Sequence, residues 1–227
     1  KNLETPALIV DLDVLESNMA AMSRLLEGTG MGLRPHYKSH RCPAIAHRQI
    51  AAGAKGMTCA KLSEAEDLAL SGIEDILIAN QVRDPAKVAR LASLAKCCRL
   101  TVCVDDAENV RQLQEAAVVQ DAVIHCLVEY EVGMNRCGVD TPPAVLELAR
   151  QIMACPNLCF DGIQAYAGNL AHEEGQAKRR EQSDAVENRL RELKTYLEAH
   201  EIPVREISGT STGTVEMRRK DSVYTEV

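Results

Sequence analysis

Apolar runs of strand length recur along the chain, separated by stretches with helical spacing. After an opening run, "ALIVDLD" at 7–13, they are "LRPHYK" (33–38), "GMTCA" (56–60), "DILIA" (75–79) and "LTVCV" (100–104). "IHCLVEY" (124–130), "FDGIQAY" (160–166), "VREIS" (204–208) and "VYTEV" (223–227) complete the series. The runs are continuous rather than alternating, the pattern of strands covered on both faces in a parallel sheet. Helix starts lie between them. Asp13 with Glu16 and Ser63 with Glu66 fit capping boxes. Asp84-Pro85 and Thr141-Pro142 place proline at a first helical position, where a missing N–H costs nothing. The segment 173–200 is the longest predicted helix, with Leu190, Leu193 and Leu197 at three- and four-residue spacings. Strand–helix alternation, with eight strands after the first, predicts an α/β fold closed into a (β/α)8 TIM-type barrel. No repeat, linker or low-complexity stretch divides residues 1–227, so one domain is expected.

Composition narrows the partners. A formal charge of −7 argues against a broad nucleic-acid surface. No apolar run is long enough to span a membrane, and "KNLETPALIV" lacks the layout of a signal peptide. A cytoplasmic protein is expected. It does not open on methionine, so residues upstream are expected too. Nine cysteines, several inside apolar runs and none at paired zinc spacing, read as reduced core thiols.

Candidate chemistry gathers at the strand ends, where barrels of this kind carry their sites. Lys38 ends the first barrel strand, in "GLRPHYKSH". It reads either as a salt-bridged rim residue or as an amine that forms a Schiff base with a carbonyl. Nearby cations (Arg34, and His36 or His40 when protonated) would favour its neutral form. "SGTSTGT" (208–214) is either a plain small-residue loop or a cradle of backbone N–H groups for a phosphate. "EYEVGMNRCGV" (129–139) holds Arg136, a rim ion pair or a charge aimed at a cofactor ring; Glu129 and Glu131 read equally as caps of the sheet end. "IQAYAGNLAH" (163–172) ends a strand on Tyr166 and places His172 six residues later, a solvated loop histidine or a proton acceptor near neutral pH.

Taken in order, "LRPHYKSH", "SEAE", "VGMNRCGV", "GIQAYAG…H" and "SGTSTGT…VYTEV" resemble the fold-type III pyridoxal-phosphate enzymes, whose barrel is that of the alanine racemase N-terminal domain. Within them the chain is most similar to the D-threonine aldolase, 3-hydroxy-D-aspartate aldolase and D-serine dehydratase group. The resemblance implies that Lys38 carries pyridoxal 5'-phosphate and that Arg136 and Tyr166 line it. It also implies that Gly209, Thr212 and Gly213 hold its phosphate and that His172 deprotonates the β-hydroxyl of a D-amino acid substrate. The implied reaction is lyase cleavage of a D-β-hydroxy-α-amino acid, giving glycine and an aldehyde. The alternatives are a D-serine or D-3-hydroxyaspartate dehydratase and a non-catalytic, single-domain carrier of pyridoxal phosphate. Thr210, Ser211, Ala60 and Ala167 depart from the group's pattern. Members of the group continue into a β-domain that holds the ligands of a divalent metal (Mn or similar). The resemblance therefore implies that this domain is missing from the chain, that no metal ligand lies within it, and that 7–13 is a strand of the missing part. A homodimer is implied for the full-length protein, with neither nucleic acid nor membrane as a partner.

Overall fold

A computed structural model describes residues 3–217 and 220–227. Six parallel strands form one sheet in sequence order: β1 (Met57–Cys59), β2 (Asp75–Ile78), β3 (Arg99–Val104), β4 (Ile124–Glu129), β5 (Leu158–Tyr166) and β6 (Glu206–Thr210). Two shorter extended stretches close the ring. Segment 32–36 bridges β1 through His36 and Thr58, and it meets 225–227 through Gly32 and Glu226. Glu226 in turn bridges Ser208 of β6. Backbone bonds hold the seam, with Thr58 N donating to Pro35 O at 2.8 Å, Arg34 N to Val227 O at 2.9 Å and Thr225 N to Ile207 O at 3.0 Å. The curled sheet and its helices form the expected barrel. The first and last barrel positions are nevertheless short extended segments, not the full strands expected at 33–38 and 223–227. Pro35 has no N–H to give the ladder, and the next residues leave it in a 3-10 turn, Tyr37–Ser39.

Among the described residues seven helices pack outside: α1 (Leu12–Leu26), α2 (Pro43–Ala51), α3 (Leu62–Leu70), α4 (Pro85–Leu94), α5 (Ala107–Gln120), α6 (Pro142–Met153) and α7 (Gln176–Ala199). Asp84 caps α4 as expected, accepting from Lys87 N at 3.0 Å, with Pro85 following. Pro142 opens α6 after Thr141. The two capping boxes differ from expectation. The first cap of α1 is Asp11, which accepts from Val14 N at 3.1 Å, and Glu16 pairs with Arg48 at 2.6 Å instead. Before α3, Glu64 bonds Ala60 N at 2.8 Å, while Glu66 reaches Arg90 on α4. The strand expected at 7–13 is absent from the described residues. Leu12 and Asp13 already belong to α1, and Leu8 and Ile9 are exposed with no ladder beside them. An apolar run without a neighbouring strand has nothing to pair with, so the cap at Asp11 decides its end.

The barrel strands are apolar on both faces because each face is buried differently. Ile76, Ile78, Val102, Val104, Cys126 and Val128 pack against the helices in the main core. The residues between them point into the barrel, where Leu77, Cys103 and Leu127 form a separate small cluster. Gly162 on β5 is needed where the strand register shifts: its φ is +153°, and a Cβ there would overlap the backbone of Glu206.

Candidate active site

The barrel interior is layered. At the N-terminal ends of the strands, charged side chains fill it. Arg34 sits between Glu226 (3.0 Å) and Asp75 (2.7 Å), and all but a few per cent of its surface is buried. Arg99 meets Asp161 at 2.5 Å, and His125 Nδ1 meets the same carboxylate at 2.8 Å. Lys55 pairs with both Glu206 and Glu226. Burial alone would raise the Glu226 carboxyl, but the charges of Arg34 and Lys55 outweigh it and hold the group below its ordinary range. Asp161 is held down in the same way by His125 and Arg99. Cys159 lies close to His125 and Asp161, a triad with metal-binding donor types. Both imidazole nitrogens are already engaged, one by Asp161 and one by Arg99, and Arg205 also abuts the carboxylate. That end is an ion-pair plug.

Above the Leu77–Cys103–Leu127 layer, the C-terminal end opens into a cavity of about 510 Å³. Its wall is built strand by strand. The 3-10 turn after 32–36 delivers Lys38. Tyr37 is buried the other way, its hydroxyl donating to Asp67 and its ring edge-on to His40 with centroids 5.3 Å apart. Lys38 N donates to His36 Nδ1 at 3.2 Å. Lys38 Nζ stands 6.0 Å from the centre of the Tyr166 ring, at the end of β5, and Arg136 Cζ stands 5.7 Å from the same ring. A lysine and an arginine thus both stand within about 6 Å of one aromatic ring.

Of the cations expected beside Lys38, the two histidines are held towards their neutral forms. Burial and the Lys38 charge lower His36 to about 4, against a smaller opposing effect of Glu64, so it is neutral near pH 7. Burial lowers His40 as well. Arg34 is fully engaged in the plug.

The small-residue segment 208–214 forms the opposite wall. Gly209 is required by close approach: a Cβ would collide with Ala165 O and the Tyr224 ring. Thr210 occupies the left-handed region at φ +67° without being glycine. Ser211 does not offer its hydroxyl to the cavity alone. Its Oγ lies 3.1 Å from Thr214 Oγ1, and Ser211 N donates to that same hydroxyl at 3.1 Å, which closes the loop on itself. Gly209 and Thr212 line the cavity together with Lys38, Arg136 and Tyr166. Gly213 does not; it packs on Ala171 of the 3-10 turn Gly168–His172. His172, at the end of that turn, is exposed and outside the cavity lining.

The structure adds residues that sequence reasoning passed over or left as caps. Glu129, Gln164 and Ser208 are register partners on β4, β5 and β6 and form one polar tier of the cavity floor. Glu129 accepts from Gln81 Nε2 at 2.6 Å. Gln164 is 6% exposed, and its Oε1 has no hydrogen-bond partner among the described residues. A signal was present: Gln164 stands two residues before Tyr166 on an apolar strand, so both face inward.

The family model for the N-terminal domain of alanine racemase matches residues 10–227. The D-threonine aldolase of Arthrobacter sp is 40% identical over 99% of this chain and 59% of its own length. The 3-hydroxy-D-aspartate aldolase of Paracoccus denitrificans (strain Pd 1222) is 39% identical with the same coverage of both. The crystal structure of D-threonine aldolase from Filomicrobium marinum superposes with a TM-score of 0.94 at 37% identity, covering 98% of this chain and 60% of that one. The chain thus spans about three-fifths of the length of the relatives it matches.

Proposed function

The chain belongs to the alanine racemase N-terminal domain family, and from that premise we propose that its barrel binds pyridoxal 5'-phosphate in a lyase that cleaves D-β-hydroxy-α-amino acids. For D-threonine the products are glycine and acetaldehyde. The observation that carries this is the convergence of Lys38, Tyr166, Arg136 and the 208–214 segment on one cavity. The cavity fits such a group in three respects. Its volume suits a small cofactor with substrate. The backbone at Gly209 comes as close as glycine allows. The buried Gln164 Oε1 lacks a donor, which a ligand in the cavity would supply.

Lys38 is the amine that holds the cofactor covalently, and Tyr166 and Arg136 fix one face of the ring. Gly209, Thr212 and Gly213 hold the phosphate through backbone N–H groups. When bound, the cofactor supplies an electron sink for the pair released as Cα–Cβ breaks. His172 is the proton acceptor for the substrate's β-hydroxyl; its turn is braced against the phosphate segment through Ala171 and Gly213. A divalent metal (Mn or a similar ion) assists from ligands outside this chain. The relatives at about 40% identity are named for aldolase activity, which favours cleavage over dehydration. The protein acts on a small-molecule D-amino acid as a cytoplasmic homodimer. No helix among the described residues is long and apolar enough to cross a membrane.

The test is incubation of the full-length protein with D-threonine, pyridoxal phosphate and Mn²⁺. Acetaldehyde and glycine in equal amounts are expected. Ammonia and a keto acid would replace the aldolase by a dehydratase, and bound cofactor without turnover of any D-β-hydroxy amino acid would leave a carrier.

A further inference from the structure

His172 ends a short 3-10 turn that follows β5 and belongs to no strand, so its place depends on what fastens that turn. The residue after it is held from α7. Arg179 Nε and Nη2 both donate to Glu173 O, at 3.2 and 2.9 Å. Lys178 Nζ and Gln182 Nε2 reach the Glu173 carboxylate at 2.7 and 3.1 Å. The remaining arm of Arg179, Nη1, donates to Gly213 O at 3.4 Å. One planar guanidinium thus joins two segments remote in sequence, the turn of His172 and the small-residue segment 208–214.

The helix that presents Arg179 is a firm base. It seats Val186, Leu190, Leu193 and Leu197 in the main core, and Arg179 N bonds Gly175 O at 3.0 Å in its first turn. Yet the charge there runs against the helix dipole: Lys178, Arg179 and Arg180 stand near the N-terminus, and the first turn holds no acid. A cation kept in an unfavourable place has its reason elsewhere, here in a fork that spans two carbonyls, which the point charge of a lysine cannot do. We propose that Arg179 is a positioning residue for His172. It fixes the histidine's turn against segment 208–214 and so sets where the imidazole stands relative to a bound phosphate and substrate. It acts through the backbone at 173 and 213 and does not itself meet the reacting atoms. The proposal rests on the role given to His172 above.

Steady-state kinetics of the full-length protein on D-threonine, with saturating pyridoxal phosphate and Mn²⁺, test it. Arg179→Ala is expected to lower kcat about ten-fold with KM changed by less than about two-fold, because misplacing a reacting group costs rate more than binding. His172→Ala is expected to lose about a hundred-fold or more. The double variant should match His172→Ala alone, since the position matters only while the imidazole is there. A further loss of about ten-fold in the double variant would show that Arg179 acts independently of His172 and overturn the proposal. So would an Arg179→Ala protein with wild-type kcat. Arg179→Lys serves as second variant should the alanine form fail to fold; a smaller loss is expected, again absent once His172 is gone. Wild-type protein that releases no aldehyde, or a His172→Ala protein as active as wild type, would overturn the reading of His172 and this inference together. An impaired His172→Ala protein with additive losses removes only this inference.

Discussion

The two ends of the barrel are built from the same strands and differ in what their inward side chains are bound to. At the N-terminal end each charge has a partner of opposite sign within reach: Arg34 with Asp75 and Glu226, Arg99 with Asp161, Lys55 with Glu206 and Glu226. At the C-terminal end, Lys38 and Arg136 border an open cavity, and Gln164 keeps an unmatched oxygen. Buried polar groups left unsatisfied cost stability, so a protein tolerates them where a ligand completes the set. The plug serves folding, and under the proposed function the cup serves binding. Leu77, Cys103 and Leu127, with Ala79 packed against them, form the apolar cluster that separates them.

This contrast breaks most sharply at its two lysine and arginine extremes. Lys38→Ala is expected to abolish the lysine-bound absorbance and lower activity by roughly a thousand-fold or more, with an unchanged urea midpoint; a colourless but stable protein is the expected result. Arg34→Ala, at the plug, is expected to do the reverse. It leaves Glu226 and Asp75 without their shared cation, at a cost of about 3–5 kcal/mol in urea unfolding. The cofactor Kd of the protein that remains folded should not move. Because Glu226 is held below its ordinary value, the plug contributes fully above about pH 4.5 and loses its contribution as pH falls through the lower folded value.

Gly209→Ala is the substitution that should blur the distinction. Its Cβ strikes sheet backbone as well as the Tyr224 ring, so a change at the open end is expected to cost about 1–3 kcal/mol of stability as well as cofactor affinity. Equal stability in thermal melts would mean that the segment simply moves aside.

The smallest effect concerns His36. The folded chain resists its protonation down to about 4, while the unfolded chain takes the proton near 6.5. Protons therefore favour unfolding, and stability should fall as pH drops from 6.5 towards 4 and level off below. In His36→Asn, which keeps an acceptor for Lys38 N, this part of the acid dependence should vanish. After allowance for solvent screening the difference is on the order of 1 kcal/mol, measurable as the slope of the urea midpoint against pH.

Apolar periodicity was enough to find β1 to β6 to within a residue or two, because strands buried on both faces must read as continuous apolar runs. Run 7–13, expected as a strand of a part outside this chain, has no ladder here and runs into a helix capped by Asp11, since local pattern carries no record of whether a neighbouring strand exists. The two capping boxes failed for a similar reason: Glu16 and Glu66 are drawn to Arg48 and Arg90, partners remote in sequence. Of the candidate site residues, Lys38, Arg136, Tyr166, Gly209 and Thr212 meet at one cavity, while His172 and Gly213 stand outside its lining.

What the sequence by itself determined is the order of elements, the closed parallel barrel and the residue types available at each strand end, because these follow from spacing along the chain. Which charges were spent in the plug and which were left facing the cavity was decided only by the tertiary structure. Arg34 and Lys38 lie four residues apart, yet Arg34 on the extended stretch is held in the ion-pair plug, while Lys38 on the 3-10 turn after it faces the cavity. Ion pairing acts through space: Arg34 finds carboxylates that the fold brings from positions 75 and 226, and no spacing rule within its own segment encodes that meeting.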